Sequence, residues 1–117
     1  MKLLRRWSFA LILVLLLQSA PGYSYSVLTH EQVVDLLWKD QIEPLLLQRF
    51  PNSSKEDLRK AHAYAYGGCV VQDMGYYPLS SDYFSNLVHY VRSGDFVLAL
   101  IKDSSDLNEY AFALGAL

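Results

Sequence analysis

The chain has 117 residues, with ten basic and twelve acidic side chains and a formal net charge of −2. That length fits one small domain with a modest core. Cys69 is the only cysteine, which excludes an internal disulfide framework and leaves stability to packing or to metal.

Met1-Lys2-Leu3-Leu4-Arg5-Arg6 is a basic start, and Trp7 to Leu17 is almost wholly apolar before Gln18, Ser19, Ala20, Pro21 and Gly22 interrupt it. Positive charge, an apolar core and then small residues is the order of a cleavable secretory signal. The apolar run is well short of the roughly 20 residues that a spanning helix needs. Small residue pairs at Ala20/Gly22 and Gly22/Ser24 offer mature starts at Tyr23 or Tyr25. The reading is a signal peptide over 1–24, export to a periplasm or the medium, and no transmembrane segment after cleavage. Losing 1–24 removes three of the ten basic residues and none of the twelve acidic ones, so 93 residues remain with a charge of about −5. A chain of that sign does not hold nucleic acid by a broad basic surface, although a bound metal can supply positive charge locally.

Thr29-His30-Glu31-Gln32 has the form of a capping box and predicts a helix starting at His30, with His30, Val33, Val34, Leu37 and Gln41 on one face. Pro44 is expected to break or restart that helix before Leu45, Leu46, Leu47 and Phe50. A turn at Phe50-Pro51-Asn52 follows, and Ser53 to Glu56 offers a second capping box for a helix running to about Tyr66. Its inner face carries Leu58, Ala61, His62 and Ala65. Gly67-Gly68 is expected to end this helix, and Cys69 to Pro78 to form a loop with turns. Ser81 or Asp82 can cap a helix with the apolar stripe Phe84, Leu87, Val88 and Val91. Ser93-Gly94-Asp95 reads as a break, Phe96 to Lys102 as a short helix, and Asp103 to Asp106 as a polar turn. A last helical segment carries Leu107, Tyr110, Ala111, Leu114 and Leu117 and ends without a cap, as if cut in mid-helix. No run alternates long enough to demand a strand, so the fold class is all-α.

Four side chains are chemically interesting. His30, in the expected first turn, should stay neutral and able to bind a metal, because a helix N-terminus disfavours imidazolium; a capping or core histidine is the plainer role. Asp73 sits between turn-forming residues, where a carboxylate reaches a metal or merely caps a turn. His89 lies off its helix's apolar stripe, toward solvent or a cleft beside the core. His62 shares the inner face with Leu58 and Ala61, shows no partner in the sequence, and reads as structural. No short His-x-x-x-His spacing links these groups.

Four strings change the weighting: Tyr25-Ser-Val-Leu-Thr-His30, Ala65-Tyr-Gly-Gly-Cys-Val-Val-Gln-Asp73, Asn86-Leu-Val-His89-Tyr-Val and Glu109-Tyr-Ala-Phe-Ala-Leu-Gly-Ala-Leu117. In order and spacing they resemble the first half of the zinc-dependent phospholipase C family, which is related to the fungal single-strand nucleases. The resemblance covers essentially everything after the signal peptide. It implies an all-helical fold holding up to three zinc ions that polarise a phosphodiester and activate water. It also implies that His30 binds one zinc, that Asp73 and His89 share another, and that a free α-amine and carbonyl at Tyr25, five residues before His30, chelate as well. Only a deprotonated amine has a lone pair to give, so the resemblance favours cleavage after Ser24. It assigns no general acid or other catalytic residue here.

In the family, further His and Asp or Glu ligands follow the segment that resembles residues 109–117. Four ligand groups cannot fill three zinc sites of about four ligands each, so a truncated chain is expected to be inactive or to bind zinc weakly. A phospholipid is the expected substrate, with no stable nucleic-acid binding. Two alternatives are a nuclease-like phosphodiesterase and a non-catalytic exported helical module associating through Tyr76, Tyr77, Tyr83 and Phe84.

Overall fold

The computed structural model describes residues 22–117, with side chains from Val27 onward. The expected signal peptide falls mostly on residues 1–21, outside the described residues. Among the described residues there is no strand, and the fold is all-α. It comprises α1 (Gly22–Leu37), a π-helical turn at Trp38–Ile42, α2 (Glu43–Arg49), α3 (Lys55–Val71), a 3₁₀ turn at Met74–Tyr76, α4 (Asp82–Asn86), a second π turn at Leu87–Val91, α5 (Ser93–Asp103) and α6 (Leu107–Gly115). None of the described helices is long and apolar enough to cross a membrane.

The expected start at His30 is corrected, whereas at Pro44 the chain restarts a helix, one of the two outcomes expected there. Nothing between Tyr23 and Thr29 opposes helix, so α1 continues back to Gly22 and Thr29 lies inside it. Pro44 occupies the first turn of α2, where the missing N–H costs little. The π turn before it takes up the altered ladder: the Glu43 N–H donates to the Trp38 carbonyl five residues back. That turn also resets the buried face, which is Val34, Trp38, Ile42 and Leu46. Residues four apart drift by about 40° per step on an α-helix, and the wider turn absorbs part of the drift. Val33 and Leu37, expected inside, are 49% and 44% exposed.

The helix α3 opens at a reciprocal capping box of Ser54 with Asp57, one residue beyond the expected pair. Ala61 and Ala65 are fully buried, as the inner-face pattern implies, and pack with Val34, Trp38, Ile42, Leu46, Ala111 and Leu114 in one core. Gly67-Gly68 does not end the helix, which runs on to Val71. These glycines permit contact instead. A Cβ on Gly68 would lie 1.9 Å from the Phe112 carbonyl oxygen, and one on Gly115 would lie 2.0 Å from the Ala65 carbonyl oxygen. Backbone therefore meets backbone where α3 crosses α6.

The break expected at Ser93-Gly94-Asp95 lies one residue earlier, at Arg92, and α5 starts at Ser93. Asp106 caps α6, its carboxylate accepting from the Asn108 and Glu109 backbone N–H groups. Arg49 ties the end of α2 to the end of α5 by donating to the Ser104 carbonyl at 2.7 Å and the Ser104 hydroxyl at 3.2 Å. Its guanidinium lies 4.5 Å from the centre of the Tyr110 ring.

Candidate metal centre

Three elements meet around Asp73. It follows α3 at the start of the 3₁₀ turn, where its N–H donates to the Val70 carbonyl at 3.1 Å and its own carbonyl accepts from Tyr76 at 3.0 Å. Two bonds on its main chain hold its backbone in the turn. On one side His30 Nε2 from α1 stands 3.3 Å from Asp73 Oδ2. On the other, His89 Nε2 stands 3.1 Å from Asp73 Oδ1. Residues 43 and 59 positions from His30 in the chain thus form one row, His30–Asp73–His89, with the carboxylate in the middle.

The expected placement of His30 in a first turn is corrected. It lies eight residues into α1, beyond the single turn over which the N-terminal end of the helix dipole acts. What recommends it as a candidate ligand is its position 3.3 Å from Asp73 and not the dipole. His89 is brought to the site by the second π turn. The Arg92 N–H reaches back five residues to the Leu87 carbonyl at 2.8 Å, and π turns of this kind frequently sit at functional sites.

The hydrogen bonding of His89 fixes its tautomer. Nδ1 is 2.8 Å from the Ser85 carbonyl oxygen, which can only accept, so Nδ1 carries a hydrogen. In a neutral ring Nε2 then offers a lone pair, directed at a carboxylate oxygen 3.1 Å away. Two lone pairs face each other there, and the contact is favourable only with a proton or a metal cation between them. An imidazole that donates its other N–H to a backbone carbonyl is the usual state of a histidine ligand.

Distances agree with this. Two ligands at zinc bond lengths of about 2.0–2.2 Å in a tetrahedron stand about 3.3–3.6 Å apart, so the His30 contact at 3.3 Å sits at the lower edge of that range and the His89 contact at 3.1 Å just below it. The donors present therefore fit zinc pair by pair. They form a row and not a cage: among the described residues no group of three or more His, Cys, Asp or Glu converges as a complete metal site.

Two neighbours bear on the chemistry. Burial, reinforced by the Glu31 carboxylate, pushes the Cys69 thiol up to about 11, and Sγ donates to the Tyr66 carbonyl at 3.1 Å. In the metal-free chain it is a protonated thiol at neutral pH, bonded within its own helix α3. Tyr76 lies with its ring centre 5.8 Å from that of His89, and its hydroxyl is 3.1 Å from Asn86 Oδ1.

Ser85 is the important residue that sequence reasoning missed. It is fully buried; its carbonyl orients His89, and its hydroxyl accepts from the Gly75 N–H at 2.8 Å. One side chain thereby joins the helix carrying His89 to the turn carrying Asp73. A lone serine four residues before a histidine was the available signal.

His62 is outside the row, as its structural reading implies, but it does have partners. The ring stacks on Trp38 at 4.0 Å and packs on Tyr66 at 4.6 Å. Its Nε2 is 3.1 Å from Asp35 Oδ1, although the angle is too poor for a hydrogen bond. Asp35 also accepts from the Tyr66 hydroxyl, which raises the Tyr66 phenol to about 12.

The expectation for Tyr25 concerns its main-chain amine. In the uncut chain that nitrogen is an amide within α1, and no side chain is described there. At about 1.5 Å of rise per residue it stands about 7.5 Å along the axis from His30.

A scan against protein families matches the model described as zinc dependent phospholipase C over residues 29–117. No curated protein and no solved structure gives a significant match. The family match begins at the residue before His30, spans Asp73 and His89, and covers most of the chain, which therefore belongs to the zinc-dependent phospholipase C family.

Proposed function

We propose that this chain supplies metal ligands to an exported zinc phosphodiesterase of phospholipase C type, with His30, Asp73 and His89 as ligands. The observation that carries the reading is His89, whose Nδ1 is committed to the Ser85 carbonyl and whose Nε2 faces Asp73. The family's zinc dependence names the cation that such a pair takes. Bound zinc, up to three ions in a complete site, supplies the positive charge that polarises a phosphodiester and acidifies water.

The chain's own contribution is positioning. Ser85 holds the ring of His89 and the Asp73 turn in one register, so both ligands are oriented before a metal arrives. Asp73 sets negative charge between two imidazoles. Residues 1–24 act as a signal peptide, and cleavage after Ser24 converts the Tyr25 amide into an α-amine. Because that nitrogen starts about 7.5 Å along the helix from His30, its ligation requires the new first turn to open toward the site. The substrate is a phospholipid head group, in keeping with the family and with the acidic chain left after cleavage.

The test is phosphatidylcholine hydrolysis by the longest natural form, measured before chelation, after chelation and after zinc is restored. Activity that falls on chelation, returns with zinc and is absent from His89→Ala and Asp73→Asn is expected. Hydrolysis indifferent to chelation would overturn the proposal, as would an N-terminus other than Tyr25 for the amine ligand.

A further inference from the structure

Between Asp73 and Asp82 the chain reads Met74-Gly-Tyr-Tyr-Pro-Leu-Ser-Ser81, eight residues without a charge. Gly75 closes the base of this loop, since a Cβ there would lie 2.4 Å from the Ser81 carbonyl oxygen and 2.6 Å from Ser85 Oγ. The tip is a tight turn in which the Ser80 N–H donates to the Tyr77 carbonyl at 3.1 Å. Pro78 and Leu79 are its central residues, and Leu79 has φ 69°. This is a type II geometry, whose third position ordinarily takes glycine or asparagine.

Leu79 is unfavourable there twice over. A left-handed backbone strains a side chain that has a Cβ, and the residue is 109% exposed, so packing against the described residues does not offset that strain. Met74 is 52% exposed, Tyr77 37% and Tyr83 72%, so a thioether and two phenols in and just after the loop are also open to solvent. Tyrosines that are apolar along the ring and polar at the hydroxyl suit the boundary between water and lipid.

We propose that this loop enters the surface of a zwitterionic phospholipid layer, with Leu79 as the inserted side chain. The proposal rests on the phospholipid reading above and adds the means by which the site reaches its substrate. The Tyr76 ring lies 5.8 Å from that of His89, centre to centre, and three residues on, the Leu79 Cα is within about 11 Å of the Tyr76 Cα. Seating the tip therefore anchors to the layer the same loop that joins Asp73 to the helix leading to His89. Charge selects the occupant: a neutral loop on an acidic chain gains nothing from anionic lipid and meets no field at phosphatidylcholine. A convex tip also suits a fluid layer, whereas a protein partner would need a matching pocket.

The test reads insertion and not turnover, so it is independent of zinc. In the full chain, Leu79→Trp is compared with Leu98→Trp, a control at another exposed leucine on α5. The probe is phosphatidylcholine vesicles carrying brominated acyl chains. Quenching of the tryptophan at 79 but not at 98 is expected. Leu79→Gly, which relieves the turn and so should fold at least as well, is expected to weaken vesicle binding about tenfold or more. Equal quenching at both positions, or unchanged binding of Leu79→Gly, would overturn the proposal. So would a concentration-dependent dimer that is lost in Leu79→Gly without any vesicle binding, which would place the tip in a second copy. Failure of zinc-dependent hydrolysis with insertion intact would refute the catalytic reading alone.

Discussion

Two adjacent glycines on α3 should respond with opposite signs to the same substitution. For Gly68→Ala the new methyl would lie 1.9 Å from the Phe112 carbonyl oxygen, 2.8 Å from its carbon and 3.1 Å from the Ala116 nitrogen. All three are main-chain atoms of the α6 region, so no side chain can rotate away. Relief requires moving one helix against the other by more than an ångström, and overpacking of this kind costs about 1–3 kcal/mol, with severe cases higher. The helix propensity gain of alanine over glycine returns only about 1 kcal/mol, so a net loss of about 2 kcal/mol is expected. For Gly67→Ala the nearest atoms are two ring carbons of Phe112 at 3.4 Å. That is ordinary contact, and the propensity term should win by up to about 1 kcal/mol. Urea unfolding followed by far-UV circular dichroism measures both. Effects of the same sign in the two variants would refute the reasoning that Gly68 is there for helix contact and Gly67 is not.

Ser85→Ala leaves the buried Gly75 N–H without its acceptor and should cost about 1–3 kcal/mol. Because the same serine joins the Asp73 turn to the His89 helix, zinc affinity should fall too; Ser85→Thr, which keeps the hydroxyl, is the comparison that separates hydrogen bonding from packing. Acid should destabilise the chain through Asp57 and Glu109. The Ser54 side chain and backbone hold the Asp57 carboxyl below its usual 3.8, and Ser105 holds Glu109 below 4.5. Depressed values of this kind give stability that is present above the unfolded-state values and is lost as pH falls through the folded ones. Thermal midpoints of Asp57→Asn and Glu109→Gln should therefore converge on wild type only as pH falls through the depressed folded-state values, below 3.8 for Asp57 and below 4.5 for Glu109; a gap that widens with acid would contradict the assignment.

Helical class and the inner faces of α3 and α6 were legible because they depend on local pattern: Ala61, Ala65, Ala111 and Leu114 are buried where their spacing puts them, whereas on the other expected faces Val33, Leu37, Phe84 and Val91 are exposed because a π turn resets each helix. Positions where distant segments meet were not legible. Gly67-Gly68 looks like a helix end in sequence, and only the crossing of α6 shows it to be a contact. Trp38 and Ile42 join the buried face through a π turn that single-period reasoning does not contain. Thr29 to Gln32 has the residues of a capping box, yet a box needs a chain that leaves the helix before it, and this one does not. At the site, His30, Asp73 and His89 were identified through the family strings and not from spacing, since neighbours in space separated by 43 and 16 residues leave no periodic trace. Ser85, which binds nothing itself, had no string to mark it.

Zinc titration of the whole chain against a competing chromophoric chelator tests the central claim most directly, with His30→Ala, Asp73→Asn and His89→Ala beside His62→Ala. The row predicts measurable binding, lowered at least tenfold by each of the first three substitutions. His62→Ala should keep its zinc while losing stability, because that ring packs on Trp38 and Tyr66 away from the row. Zinc retained by the first three variants, or lost equally in His62→Ala, would contradict a metal centre at His30, Asp73 and His89.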